Sequence, residues 1–137
     1  MFFKKKETKK ENTFLTNIAA LLIHAAKIDE HFSEKEEYII KKFLLELGAE
    51  KENLDLLIEN SKRIEEQSNH ILDFTKEIKN MDDNKKIKII ETLWRVIYSN
   101  KDEDMYESNL MRRLSGLLYV DSKTMGDIKK KVKNEYI

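Results

Sequence analysis

Oxygen-bearing side chains are concentrated in two short stretches of the chain. Residues 29–36 read DEHFSEKE and residues 100–107 read NKDEDMYE. Carboxylate, amide and hydroxyl oxygens are the hard ligands that calcium and magnesium prefer in proteins. The candidate donors are Asp29, Glu30, Ser33, Glu34 and Glu36 in the first stretch, and Asn100, Asp102, Glu103, Asp104 and Glu107 in the second. Each stretch is therefore a candidate site for a divalent cation.

The first stretch is too short for the best-known calcium loop. An EF-hand loop needs about twelve positions with glycine at the sixth, whereas Glu34 stands at the sixth position from Asp29. His31 lies two residues from Asp29, so a transition metal held by an imidazole and carboxylates is conceivable. Neither a glycine-rich phosphate loop nor an HExxH motif is found in the sequence. A non-enzymatic protein is expected, and a small metal-assisted hydrolase is the remaining catalytic hypothesis.

Helix capping offers a competing explanation of the same acids. Ser33 followed by Glu36 has the spacing of a capping box, in which each side chain bonds the backbone N–H of the other residue. Asp104 and Glu107 repeat that spacing. Acidic residues in a first turn are also favoured by the helix dipole. Ser33 and Asp104 are therefore predicted N-caps whether or not a metal binds.

An internal repeat places the two stretches in equivalent positions. Within residues 21–47 and 93–118, equivalent positions are separated by one constant offset of 71, as for Leu22 and Leu93, Glu36 and Glu107, and Phe43 and Leu114. Capping alone does not require a second copy at the same place. In a bundle with pseudo-twofold symmetry both stretches would lie on one face, where their acids could form one site.

Helical periodicity accounts for the elements that position these stretches. Apolar residues recur at helical spacing from about Thr13 to Ile28, after Ser33 and after Asp82 or Asp83, and no alternation of period two extends over a strand's length. We predict an all-α, single-domain bundle of about seven helices built from two helix-loop-helix pseudo-repeats. The polar residues 61–69 are predicted to form a loop or a frayed helix end. Gly48 is predicted to be the left-handed C-terminal cap of the helix that begins at Ser33. Leu22, Phe43, Leu93 and Leu114 are predicted to face one shared core.

Composition excludes several other classes. Lys plus Arg and Asp plus Glu both number 26, so the basic footprint of a nucleic-acid binder is absent. The sequence has neither cysteine nor proline, which removes disulfides and thiolate sites and leaves few helix breakers. No apolar run reaches the length of a transmembrane helix, so we expect a cytoplasmic protein. Residues 1–12 predict a flexible basic tail before a helical domain at residues 13–137, and residues 2–10 would support at most weak membrane-surface association.

The two loops resemble those of the TerB-like family, named after a tellurite-resistance protein. The matching segments are HAAKIDEHFSEKE at residues 24–36 and YSNKDEDMYE at residues 98–107, and the similarity spans about Phe14 to Asp127. The resemblance implies an all-helical bundle of two pseudo-repeats whose loop acids bind a metal, notably calcium. On this sequence those acids are Asp29, Glu36, Asp104 and Glu107.

The chain departs from the family pattern in two places. Glycine usually follows the loop aspartate in the family, where this chain has Glu30 and Lys101, and Asn100 replaces the second aspartate. The lost charge weakens a cation site in the second loop. The resemblance implies a non-enzymatic module in a tellurite-resistance or stress-response context, with a protein partner. The alternative is a metal-independent adaptor or oligomerisation domain whose apolar grooves bind partner helices.

Overall fold

The described part of the chain folds into seven α-helices. The computed structural model describes the backbone of residues 2–29, 32–68, 71–99 and 105–135, and the side chains of these ranges from Thr13 onward except that of Asp29. The helices are α1 (Phe2–Ala26), α2 (Glu34–Glu46), α3 (Leu54–Gln67), α4 (Leu72–Thr75), α5 (Asp83–Tyr98), α6 (Met105–Leu117) and α7 (Ser122–Glu135). No strand occurs in this backbone, and the predicted all-α class is confirmed.

Helices α1 and α5 form the centre of the bundle. α1 packs against α2, α3, α4 and α5, while α5 also packs against α2 and α7. In α1 every residue from Ile18 to Ile23 is fully buried, and in α5 every residue from Ile89 to Trp94 is buried. A helix that is buried on all sides is surrounded by other helices. None of the helices in the described part of the chain is long and apolar enough to cross a membrane.

One contiguous core connects the two halves of the chain. Leu22, Phe43, Leu93 and Leu114 are all buried members of this core, as predicted. The ring of Trp94 stacks on that of Tyr98 with their centroids 5.7 Å apart. The four predicted core positions therefore hold α1, α2, α5 and α6 against a common apolar interior.

Helices α2 and α6 have matching boundaries and matching ends. Both contain 13 residues, and their first and last residues are separated by the same offset of 71. Each ends in a Schellman motif. In α2 the N–H of Ala49 donates to the carbonyl of Leu44 at 2.9 Å, and after α6 the N–H of Val120 donates to Ser115 at 2.9 Å. The residue in the left-handed conformation is Gly48 after α2, as predicted, and Tyr119 after α6.

Two predicted boundaries are wrong. α1 begins at Phe2 instead of near Thr13. Residues 61–67, predicted as a loop or a frayed helix end, are helical, because α3 continues to Gln67. Ser61 is fully buried there, and its hydroxyl donates to the carbonyl of Leu57 at 2.7 Å. A polar residue therefore occupies a core position, where the helical pattern usually has an apolar residue. The division into a tail at residues 1–12 and a domain at residues 13–137 stays a prediction.

The predicted capping box at the start of α2 is confirmed. The Ser33 hydroxyl accepts from the N–H of Glu36 at 3.2 Å, and a Glu36 carboxylate oxygen accepts from the N–H of Ser33 at 2.8 Å. Asp82 likewise caps α5, since its carboxylate accepts from the N–H of Lys85 at 2.9 Å. Asp104, the predicted cap of α6, lies outside the described residues.

Replacing Ser33 by alanine is expected to lower the free energy of unfolding by about 0.5–2 kcal/mol, because a first-turn N–H loses its acceptor. Urea denaturation followed by circular dichroism measures this loss. Lys35→Ala is the control, since Lys35 is exposed in the same turn. Asp104→Ala is expected to have an effect in the same range. Equal midpoints for Ser33→Ala and Lys35→Ala would contradict the role of Ser33 as a cap.

At both left-handed positions, the protein with glycine is expected to have a free energy of unfolding about 1 kcal/mol higher than the protein with alanine. Gly48 has a φ of 107° and a Cβ added there meets no atom within 4 Å, so the cost of Gly48→Ala comes from the backbone alone. At Tyr119, with a φ of 57°, Tyr119→Gly is compared with Tyr119→Ala, because both variants lose the contact between the ring and Lys86.

The control for these variants is Gly116→Ala inside α6, where an added Cβ also meets open space. Gly116→Ala is expected to raise the free energy of unfolding, because glycine in a helix costs about 0.5–1 kcal/mol relative to alanine. Chemical denaturation of the four variants and of the unsubstituted protein measures each difference. If the Tyr119→Ala protein were more stable than the Tyr119→Gly protein, the left-handed backbone at position 119 would carry no strain.

Candidate functional site

The segments that flank the two acidic stretches meet at one end of the bundle. A cavity of about 530 Å³ lies between the end of α1 and the first half of α6. Its lining residues are His24, Ile28, Tyr106, Asn109, Leu110 and Arg113. Ile28 directly precedes Asp29, and Tyr106 directly precedes Glu107. The chain therefore enters the first acidic stretch beside the place where it leaves the second.

Two glutamates stand at equivalent positions near this end. Glu36 is the third residue of α2 and Glu107 the third residue of α6. Their exposed fractions are 2% and 3%. Glutamate is rarely so buried unless it is paired or hydrogen-bonded, and Glu36 receives the backbone N–H of Ser33. The first turn of a helix also favours a negative charge through the helix dipole, so both carboxylates lie where the backbone stabilises them as anions.

The other predicted ligands have side chains outside the part of the protein that the structure describes. The backbone of Asp29 closes a 3-10 turn, Lys27–Asp29, and its carboxylate is outside the described atoms, as are Glu30, His31 and residues 100–104 with Asp104. Among the side chains that the structure describes, no group of three or more His, Asp or Glu residues could hold a metal ion. The convergence of Asp29, Glu36, Asp104 and Glu107 stays a prediction.

The sequence matches a known protein family over most of its length. The family model described as tellurite resistance protein TerB matches residues 15–130. The chain belongs to the TerB family. No curated protein and no solved structure was found to match it. The suspected resemblance at the two acidic loops is thus confirmed at the level of the family.

This TerB domain anchors the first loop through an ion-pair cluster that was not predicted. The largely buried carboxylate of Glu65, on α3, accepts from Lys27 Nζ at 2.6 Å and lies 3.2 Å from Nδ1 of His24. His24 is thereby a hydrogen-bonded residue at the boundary of an otherwise apolar helix. Glu65 is 41 positions away from His24, and a single sequence contains no signal for such a distant pairing.

The start of α2 is tied to the same helix. Lys62 of α3 lies 3.4 Å from a carboxylate oxygen of Glu37, and its ammonium stands 5.3 Å from the centroid of the Phe32 ring. Phe32 immediately precedes the cap residue Ser33. α3 of the TerB domain therefore holds both ends of the first acidic loop: Glu65 holds the end of α1, and Lys62 holds the entry to α2.

Proposed function

We propose that this TerB-family chain is a non-catalytic module that binds a divalent cation, calcium in the first place, at the loop end of the bundle. The observation that supports this most strongly is the shared cavity of Ile28 and Tyr106, which places the flanks of both acidic stretches side by side. In this proposal the two equivalent stretches of oxygen donors supply the several ligands that calcium requires. The family name suggests a tellurite-resistance or stress-response context.

The chemistry of the donor set is compatible with calcium. Both buried glutamates belong to first turns, where the backbone favours the charged carboxylate. Glu36 accepts an N–H from Ser33 through one oxygen, and a carboxylate has about four acceptor sites in all. A capping carboxylate can therefore also be a ligand. In the proposal Asp29 and Glu36 hold the cation from the first loop, and Asp104 and Glu107 hold it from the second.

Calorimetric titration of calcium into chelator-treated protein tests this function. Saturable binding is expected, and it should be lost in a variant that carries Asp29→Asn and Glu36→Gln together. Parallel titrations with magnesium, manganese and zinc establish which cation binds. Absence of a binding heat with all four, together with unchanged amide spectra in a nuclear magnetic resonance titration, would refute the proposed cation site.

A metal-independent adaptor is the second candidate, and one observation favours it. Met105 and Tyr106 open α6 with exposed fractions of 74% and 71%, and Tyr106 borders the cavity that Ile28 and Leu110 also line. Exposed apolar side chains next to a groove are typical of protein-binding surfaces. The adaptor is favoured over the cation-binding module if a protein partner binds equally well in calcium and in excess chelator. Tyr106→Ala should then abolish the binding of that partner.

A further inference from the structure

A groove between α2 and α5 is the repeat counterpart of the cavity at the loop end. It has a volume of about 420 Å³, and we call it the α2–α5 groove. Its lining includes Tyr38, Ile39, Lys42 and Phe43 from α2, and Thr92 and Arg95 from α5. The offset of 71 relates four of these residues to residues that line the loop-end cavity: Tyr38 to Asn109, Ile39 to Leu110, Lys42 to Arg113, and Arg95 to His24.

The end of α7 is fixed to a residue of this groove. Nε and Nη2 of Arg95 donate to the two carboxylate oxygens of Glu135, each at 3.0 Å. Such paired hydrogen bonds are among the stronger contacts between an arginine and a carboxylate, and they hold the pKa of the Glu135 carboxyl below its ordinary value. One turn earlier, Lys131 Nζ donates to Glu91 at 2.8 Å. α7 therefore runs along α5 and brings Glu135 to the groove.

Two apolar residues follow at this point. The chain continues from Glu135 with Tyr136 and Ile137, which lie outside the described residues. An extended chain advances at most about 3.6 Å per residue, so these two residues can reach about 7 Å beyond Glu135, and the long tyrosine side chain reaches further. Because Arg95 both pairs with Glu135 and lines the groove, the groove is within the reach of this segment.

The spacing of apolar residues in α7 directs Tyr136 towards α5. Met125, Ile128 and Val132 are the buried residues of α7, and they recur at i, i+3 and i+7, which defines one face of a helix. α7 packs on α5. Tyr136 follows Val132 by four residues and continues this spacing. An aromatic residue at this position is therefore expected to pack on the bundle.

The groove contains apolar surface that such a segment can cover. Phe43 is buried, Ile39 is half-buried and Tyr38 is 61% exposed. Lys42 and Glu46, both exposed, add polar groups to the lining. A tyrosine suits this mixed lining, because its ring is apolar and its hydroxyl forms hydrogen bonds. Packing an apolar segment there removes apolar surface from water, which favours the folded chain.

We propose that the segment Tyr136–Ile137 crosses Arg95 and occupies the α2–α5 groove. The ring of Tyr136 packs against Ile39, and the pair of Arg95 and Glu135 holds the segment in place. The groove is then an intramolecular docking site, and a partner helix can enter it only by displacing this segment. The proposal is independent of the cation site at the loop end.

Nuclear magnetic resonance of the full chain tests the occupant directly. Nuclear Overhauser effects are expected between the ring protons of Tyr136 and the methyl groups of Ile39. The same measurement on a mixture of labelled and unlabelled chains separates contacts within one chain from contacts between two copies. Contacts only between copies, which would make a second copy the occupant, or no contact between Tyr136 and α2, would overturn the proposal.

A double-mutant cycle provides an independent test with a matched control. Tyr136→Ala is expected to lower the urea midpoint of the unsubstituted protein and to lower it less in the Ile39→Ala background, because the contact is already lost there. Leu110→Ala is the control background, since Leu110 holds the equivalent position at the loop-end cavity, and the full effect of Tyr136→Ala is expected in it. Circular dichroism verifies that each variant is folded. Equal effects of Tyr136→Ala in the Ile39→Ala and unsubstituted backgrounds would contradict the docking.

Discussion

Replacing Leu22 or Leu93 by alanine is expected to lower the free energy of unfolding by about 2–5 kcal/mol. Both side chains are completely buried, Leu22 on α1 and Leu93 on α5, and these two helices pack directly against each other at the centre of the bundle. Truncation removes apolar contacts and leaves a cavity that the surrounding helices can only partly fill. A loss of this size is a large fraction of the stability of a typical domain, about 5–15 kcal/mol.

Urea denaturation of the two variants measures this effect, provided that the transitions are two-state. Leu56→Ala on α3 is the control, since Leu56 is an exposed leucine in the same bundle. Its cost is expected to remain within about 0.5 kcal/mol. A loss below about 0.5 kcal/mol at both Leu22 and Leu93 would contradict a core built jointly from the two halves of the chain.

The sequence predicted those features that depend on neighbouring residues. The capping box of Ser33 and Glu36 and the left-handed Gly48 are local interactions, and the structure has both of them. The offset of 71 extended this reasoning to a second copy. It places Tyr119 at the position equivalent to Gly48, so the positive φ of a tyrosine could also have been predicted from the alignment of the two copies.

Features that depend on distant residues were missed. The helical character of residues 61–67 results from packing of α3 on α1. Lys62 adds an ion pair with Glu37 of α2, and Glu65 adds one with Lys27 in the turn after α1. The sequence there is polar, so its periodicity alone favours a loop. The cavity that α5, α6 and α7 line together depends in the same way on where these three helices lie. A single sequence does not show that the indole N–H of Trp94 lacks a hydrogen-bond partner among the described residues.

The second large effect expected is stabilisation by a divalent cation. If Asp29, Glu36, Asp104 and Glu107 bind calcium in the folded state, free calcium at about 100 times its dissociation constant raises the free energy of unfolding by about 2.7 kcal/mol. For a domain of this size, each kcal/mol raises the unfolding midpoint by about 2–4 °C. Differential scanning calorimetry with calcium and with excess chelator measures the shift. No shift at millimolar calcium, magnesium, manganese or zinc would favour the adaptor.

Glutamine at position 36 separates the two roles of Glu36. A capping box accepts either glutamate or glutamine at its third position, so Glu36→Gln removes the ligand charge and keeps the bond to the N–H of Ser33. Combined with Asp29→Asn it is expected to abolish the calcium shift. Glu107→Gln with Asp104→Asn should have a smaller effect, because Asn100 already leaves that loop with one charge fewer. Glu46→Gln, an exposed acid at the other end of α2, is the control.

The same variants have an expected effect without any cation. Clustered carboxylates repel one another, so removing two charges is expected to raise the unfolding midpoint of the chelated protein or to leave it unchanged. Helix capping predicts a lower midpoint for the same variant, because the interaction of a charged first-turn acid with the helix dipole stabilises the fold by about 0.3–1 kcal/mol. Two results together would identify these acids as capping residues alone. In chelator, the double variant Asp29→Asn, Glu36→Gln would have a lower unfolding midpoint than the unsubstituted protein, and calcium would not shift the midpoint of the unsubstituted protein.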